Sequence, residues 1–148
     1  MRDAAQVRLA TFDGELIWQK EVDFAVPANS SQPVARWEPA EVEGSPERYL
    51  GVRSDGGSFP ANRHFFAMVK DLGRQRPELS VETAAQGERE VLVTVQAPAH
   101  AYFVHVETPS PTARFSDNYF DLDAGEKRTI RVDDEAPLST ESIRVAWR

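Results

Sequence analysis

The chain has 148 residues, a length typical of one domain or of two small ones. It is too short for a (β/α)₈ barrel, which needs about 250 residues, and it lacks the alternating strands and helices of a doubly wound nucleotide fold. Because 17 Lys and Arg face 24 Asp and Glu, the net charge is −7. No basic field is available for nucleic acid or for an anionic membrane surface, so we expect neither partner.

Cysteine is absent, which excludes disulfides, Cys-ligated zinc and thiol catalysis. The first residues form no apolar signal region, and no stretch approaches eighteen apolar residues, so we expect a soluble chain whose compartment stays open. The hydrophobic fraction of 41%, with 8 Phe, 3 Trp and 3 Tyr, is enough for a hydrophobic core.

The first half of the chain alternates apolar and polar residues in short segments separated by turns, which predicts β-strands. Asp13-Gly14 predicts a hairpin between the first two segments. Pro27 and Pro39 end two later segments because proline cannot donate to a strand ladder. The predicted strands are 7–12, 16–18, 22–26, 34–37, 48–53 and 63–69.

A polar stretch at 71–77, with Gly73 and Pro77, predicts a domain boundary near residue 73. The second half then offers six strands, at 79–82, 91–95, 102–106, 115–122, 129–132 and 142–147. Six strands nearly make a small sandwich, whereas the short segments of the first half amount to only five or so strands, too few to close two sheets comfortably. We predict an all-β chain of two tandem Ig-like or fibronectin-like β-sandwich modules, residues 1–73 and 74–148, with the first incomplete.

The candidate catalytic and metal-binding residues do not form a recognisable motif in the sequence. His64, His100 and His105 lie on separate segments without metal-ligand spacing, and no GxSxG, GxGxxG or GxxxxGK[ST] motif is present. The acidic run at 133–135 lacks the spacing of a calcium loop. Three Trp residues, at 18, 37 and 147, end alternating strands and are expected in the core. We predict no catalytic residue, no metal and no cofactor.

One segment is too polar for a core strand and too aromatic for a loop. It consists of Phe115, Ser116, Asp117, Asn118, Tyr119, Phe120 and Asp121. One interpretation is a kinked strand in which Asp117 and Asn118 bond the neighbouring backbone. The other is that the polar group from Ser116 to Asn118 faces a neighbouring domain or a ligand.

The run FSDNYFDL at 115–122, followed by Gly125-Glu126, resembles a hallmark of the last β-sandwich domain of β-mannosidases in glycoside hydrolase family 2. The family has proline before the Gly-Glu pair, where this chain has Ala124. In the first half, the runs at 12–16, 26–31 and 58–66 look like the end of the Ig-like domain that precedes it.

The resemblance implies retaining hydrolysis of terminal β-D-mannosides by two glutamates on a separate (β/α)₈ barrel. No residue of this chain matches either glutamate. The implied function is therefore that of a non-catalytic C-terminal portion of such an enzyme, which supports the barrel and docks through 115–121. The implied partners are the barrel and the mannoside substrate of the whole enzyme. An unpaired edge at strand 7–12, or at a neighbouring strand, would also allow self-association.

Three alternatives stay open. A stand-alone structural tandem of Ig-like modules would bind no sugar. A carbohydrate-binding module would need an exposed row of aromatic rings. A self-sufficient glycosidase would need a pocket with paired carboxylates.

Overall fold

The computed structural model describes all 148 residues, Met1–Arg148, and its regular structure is almost entirely antiparallel β-strand. The chain divides into two compact units, Met1–Arg74 and Gln75–Arg148. The predicted all-β fold class is confirmed. None of the helices has the length and apolar character needed to cross a membrane.

The first unit is built on one four-stranded antiparallel sheet. Its elements are β1 (Arg2–Thr11), β2 (Leu16–Ala25), the short helix α1 (Pro39–Val42), β3 (Arg48–Ser54), β4 (Asn62–Phe65) and a 3₁₀ turn (Val69–Asp71). The strand order is β2-β1-β3-β4. A cluster around Phe12, Tyr49 and Leu72 forms its compact core.

The hairpin predicted at Asp13-Gly14 is confirmed. Gly14 has a φ of 96° and donates its N–H to the carbonyl of Thr11, and β1 pairs with β2 along its length. Because β1 also pairs with β3, it is an inner strand, and the unpaired edge expected at 7–12 or at a neighbouring strand lies at the neighbour β2. The outer strands of this sheet are β2 and β4.

The strand predicted at 34–37 is wrong: this segment is irregular and is followed by α1. Prolines at 33 and 39 flank this segment and cannot extend a ladder at either end, so side-chain packing decides its place. Trp37 packs on Trp18 at 6.1 Å between ring centroids. An apolar groove of about 270 Å³ separates Trp37 from the sheet residues Val7 and Val22.

The second unit has two antiparallel sheets, of orders β5-β6-β10-β8 and β11-β7-β9. Its strands are β5 (Ser80–Ala85), β6 (Glu90–Gln96), β7 (Ala101–Glu107), β8 (Arg114–Phe115), β9 (Phe120–Leu122), β10 (Lys127–Asp133) and β11 (Arg144–Ala146), with a 3₁₀ turn at Thr140–Ser142. Alternate residues of these strands point inward and form one continuous core. The most deeply buried members are Val91, Val93, Val95, Val104, Leu122, Ile130 and Val132.

The single strand predicted at 115–122 is two strands in two different sheets. Strand β8 pairs with β10, whereas β9 pairs with β7. Residues 116–119 therefore carry the chain from one sheet to the other, and this crossing accounts for their polar composition.

Candidate functional site

The crossing between the sheets begins at Ser116, the residue that follows β8. Its N–H donates to the carbonyl of Arg131 at 2.9 Å, and its Oγ accepts from the N–H of Arg131 at 2.9 Å. The N–H and the hydroxyl oxygen of Ser116 thus both bond the backbone of Arg131. These two bonds extend the pairing of β8 with β10 by one residue.

Asp117 turns the chain away from the first sheet. Its Oδ1 accepts from the Asn118 N–H at 2.8 Å, an Asx-type turn, and its Oδ2 pairs with Arg128 at 3.0 Å. Arg128 also pairs with Glu126 at 2.9 Å and lies over the ring of Phe120, 4.4 Å from its centroid. Because Arg128 belongs to β10, the Asp117 carboxylate fixes residues 116–119 to that strand.

Asn118 takes the place of a strand residue beside β7. Its Oδ1 accepts from the N–H of Val106 at 2.8 Å, and its Nδ2 donates to the Val106 carbonyl at 3.0 Å. The same Oδ1 accepts from the Tyr119 N–H at 3.1 Å. One amide side chain thus satisfies both backbone groups of a buried residue, because it carries a donor and an acceptor side by side.

Asp121 fixes an irregular part of β7. The register of β7 and β9 gives three residue steps on β7, from Ala101 to Val104, for two on β9, which is a β-bulge. Within the bulge, the N–H of Phe103 donates to Asp121 Oδ1 at 2.9 Å. Phe103 and Tyr119 both have left-handed backbones, with φ of 55° and 59°. Such a backbone is unfavourable for bulky residues by about 1–3 kcal/mol each.

Phe103 and Tyr119 meet His105 in what we call the aromatic patch, defined by these three residues. The Tyr119 ring stacks on the His105 ring at 5.4 Å and 17°, and its centroid lies 5.3 Å from that of Phe103. Tyr119 is 61% exposed, the most exposed aromatic side chain of the second unit. A strained backbone therefore presents a large ring to solvent.

Charged groups border the aromatic patch. His105 Nε2 lies 3.0 Å from Glu107 Oε1, and 60% of the Glu107 side chain is exposed. On another side, the Arg148 guanidinium carbon lies 5.3 Å from the Phe103 centroid. The patch thus combines an open ring face with a carboxylate and a guanidinium.

The predicted site residues therefore divide into two groups. Ser116, Asp117, Asn118 and Asp121 make the internal bonds described above, Phe115 and Phe120 pack toward the core, and Tyr119 faces outward. The sequence does not predict that Phe103, His105 and Glu107 lie beside Tyr119, because a strand with regular alternation would separate them from it. The adjacent aromatics Tyr102-Phe103, which interrupt that alternation, are the one signal of a bulge.

Two carboxylates elsewhere are held ionised by hydrogen bonds. The hydroxyls of Ser54 and Ser58, with the N–H groups of Ala4 and Gly56, keep the pKa of Asp3 well below its usual range. The Ser110 and Thr112 hydroxyls lower the pKa of Asp134 to about 2. Asp3 ties the 54–58 loop to β1, and Asp134 receives the Thr112 hydroxyl at 2.6 Å.

The three histidines are dispersed: His100 is buried, His64 is exposed against Phe66, and His105 belongs to the aromatic patch. No group of three or more His, Asp or Glu side chains has an arrangement that could hold a metal ion. The Trp side chains, expected in the core, are half-buried rather than fully enclosed.

Two family models match the chain, one on each unit. A model described as the Mannosidase Ig/CBM-like domain matches residues 2–71. A model described as the Ig-fold domain of the Ig_mannosidase family matches residues 75–146. The predicted pair of Ig-like modules in tandem, and their likeness to mannosidase domains, are both confirmed.

Solved structures share this fold. A β-D-mannosidase from Dictyoglomus thermophilum aligns with a TM-score of 0.76 and 20% identity, over 99% of this chain and 18% of that one. The exo-chitosanase CsxA from Amycolatopsis orientalis aligns with a TM-score of 0.52 and 13% identity, over 99% of this chain and 23% of that one. The chain thus spans less than a quarter of either enzyme. No curated protein sequence matches it.

Proposed function

We propose, since this chain is a tandem of Ig-like domains of the mannosidase families, that it is the non-catalytic C-terminal portion of a β-mannosidase-like glycoside hydrolase. The whole enzyme would hydrolyse terminal non-reducing β-D-mannosides with retention, through two glutamates on a barrel outside these residues. The role of this portion is to support that barrel.

Residues 1–73 are proposed as the C-terminal part of one Ig-like domain, and 74–148 as the terminal one. This division is supported by the different number of β-sheets in the two units. The first unit has a single sheet with an apolar groove of about 270 Å³ on one face, whereas the second has two sheets around a core. An Ig-like sandwich needs two sheets, so the first unit is proposed to gain its second layer from the rest of the enzyme.

The segment 115–121 is proposed as the contact surface with the rest of the enzyme, with Tyr119 as its contact residue. The observation that carries this proposal is the 61% exposure of Tyr119 on a left-handed backbone. Strain of this kind is retained where it serves a function. The polar side chains of Ser116 and Asn118 contribute indirectly, because their internal bonds position the ring.

The test begins with the reading frame upstream of the Met1 codon. We expect it to continue into a barrel with two candidate glutamates, and a stop codon directly before Met1 would contradict the proposal. In the full-length enzyme, Tyr119→Ala should lower the temperature of half-inactivation and the rate on p-nitrophenyl β-D-mannoside. Val81→Ala, which removes another exposed apolar side chain of the same unit, is the matched control. Unchanged stability and kinetics in Tyr119→Ala would reject the contact surface.

A second copy of the chain is a further proposed partner, and it would pair with β2. This outer strand is ten residues long, about twice the usual length, and a long outer strand is a template for another strand. Sedimentation should then show a dimer whose share grows with protein concentration. Asp23→Pro should abolish it, because the Asp23 N–H points away from β1 while that of Val22 bonds β1. A strict monomer at millimolar concentration would exclude this contact.

A further inference from the structure

We infer that the aromatic patch of Phe103, His105 and Tyr119 binds the pyranose ring of a glycan, with the ring stacked on Tyr119. This inference rests on the proposed function, in which the whole enzyme acts on a β-mannoside. The proposed function assigns this surface to contact with the rest of the enzyme, and the inference adds a ligand for it.

The open face of Tyr119 supplies the stacking surface. One face of the ring lies on His105, with 17° between the planes, while the side chain as a whole is 61% exposed. With His105 on one face and Phe103 beside the ring, this exposure is the basis for assigning the other face to a ligand. Aromatic faces carry partial negative charge, so they attract the electropositive C–H groups on the flat side of a pyranose.

Polar groups that can hold sugar hydroxyls lie beside the ring. Glu107 accepts from His105 through one carboxylate oxygen, and its second oxygen has no partner within the protein. His105 connects the two parts of the site, because it stacks on Tyr119 and bonds Glu107. An aromatic surface with a few placed polar groups that fix orientation is typical of small-ligand sites.

The aromatic patch is ordered before any ligand arrives. Asn118 bonds the Tyr119 N–H and Asp121 bonds the Phe103 N–H, so both left-handed residues are held by neighbouring side chains. Preorganisation lowers the entropy lost on binding, which matters for a weak, small ligand. The FSDNYFD run is thereby explained as a support for the ring rather than as the contact itself.

The small size and the charge of the aromatic patch fit the polar rim of the proposed contact surface, where the ring of Tyr119 can still receive a sugar. A stable protein interface buries about 1,200–2,000 Å², and its centre is poor in charged residues. Here one open ring is bordered directly by the charged side chains of Glu107 and Arg148. A single pyranose unit is the size of the Tyr119 ring, and its hydroxyls can donate to the adjacent Glu107 carboxylate.

The 148-residue chain itself serves for the test. In native gels that contain soluble β-1,4-mannan, its migration should be retarded. Titration with mannobiose, followed by ¹H–¹⁵N NMR, should shift the amides of Phe103, His105 and Tyr119. Tyr119→Ala should weaken binding at least about tenfold, Glu107→Gln several-fold, and Tyr119→Phe, which keeps the ring, less than about threefold.

Circular dichroism and thermal melting of each variant establish that the fold is intact, and Val81→Ala should bind like the original chain. Retardation that persists in a folded Tyr119→Ala variant would overturn the inference, and so would the absence of both retardation and amide shifts. In the second case, loss of heat stability in the full-length Tyr119→Ala enzyme would still support the proposed function. The two ideas therefore fail separately.

Discussion

The two units use the same alternation of apolar and polar residues but build different interiors. In the second unit, seven strands in two sheets bury a continuous, valine-rich core. In the first unit, four strands form one sheet, with an aromatic cluster around Phe12 and Tyr49 and a groove beside Trp37. Alternation determines which side chains share a face, but the number of sheets determines whether that face is covered.

This difference predicts that core truncation costs more in the second unit. Ile130 is fully buried in the two-sheet core, whereas Leu50 is half-buried and lines the groove. Ile130→Ala should lower the free energy of unfolding by about 2–5 kcal/mol, and Leu50→Ala by about 1–2 kcal/mol. Urea unfolding measures both changes. In a Trp147→Phe background, the fluorescence of Trp18 and Trp37 follows the first unit alone.

A similar loss in both variants would mean that the groove is as tightly packed in solution as the second core. In that case the first unit would need no second layer, and the contrast between the units would disappear.

The next largest effect is expected at Asn118, which stands in for a strand residue. Asn118→Ala leaves both backbone groups of Val106, a residue only 1% exposed, without partners. The expected loss is about 2–3 kcal/mol of unfolding free energy, because unsatisfied buried polar groups are costly. Hydrogen exchange should show faster exchange at the Val106 amide.

Thr94→Ala is the matched control, since its hydroxyl bonds Thr129 on an exposed sheet face. A loss in Asn118→Ala no larger than in this control would show that water replaces the amide, and that the crossing does not need it.

The limits of sequence prediction are clear at the same segment. Most strands of both units, the Asp13-Gly14 hairpin and the polar-aromatic character of 115–121 follow from local pattern. The division of 115–122 between two sheets does not, because β8 and β9 pair with strands far apart in sequence. The partners of Tyr119 were missed for the same reason: the bulge at Phe103 depends on Asp121, which is remote in sequence.

The segment 34–37 shows a second limit. Val34, Ala35 and Trp37 alternate as a strand would, yet no ladder forms between the flanking prolines. Packing of Trp37 on Trp18, with Lys20 5.2 Å and 5.9 Å from the two ring centroids, fixes the segment instead. A tertiary contact has replaced the local preference.

A smaller effect on the free energy of unfolding is expected at low pH. It arises because each unit contains one carboxylate, Asp3 or Asp134, whose pKa is lowered by hydrogen bonds. Asp134 has its pKa lowered from 3.8 to about 2, so its stabilisation is present above about pH 4 and is lost as pH falls toward 2. The pKa of Asp3 lies lower still, so the first unit keeps its contribution further into acid. Asp134→Asn should flatten the pH dependence of urea unfolding between pH 4 and 2.

The exposed Glu82→Gln variant serves as the control for this acid dependence. If Asp134→Asn retains the full pH dependence, the hydroxyls of Ser110 and Thr112 do not stabilise the carboxylate in solution.

The smallest effect should come from filling the groove of the first unit. Ala35 lines it together with Val7 and Val22, so Ala35→Leu would place a larger apolar side chain there without removing any polar contact. Filling such a space typically gains about 0.5–2 kcal/mol, and urea unfolding of the 148-residue chain should show a gain in that range. If an added layer covers the groove in the full-length enzyme, the same substitution should clash with it and lower the heat stability of that enzyme. A gain in both contexts would show that nothing covers this face, and the first unit would then be a one-sheet module in its own right.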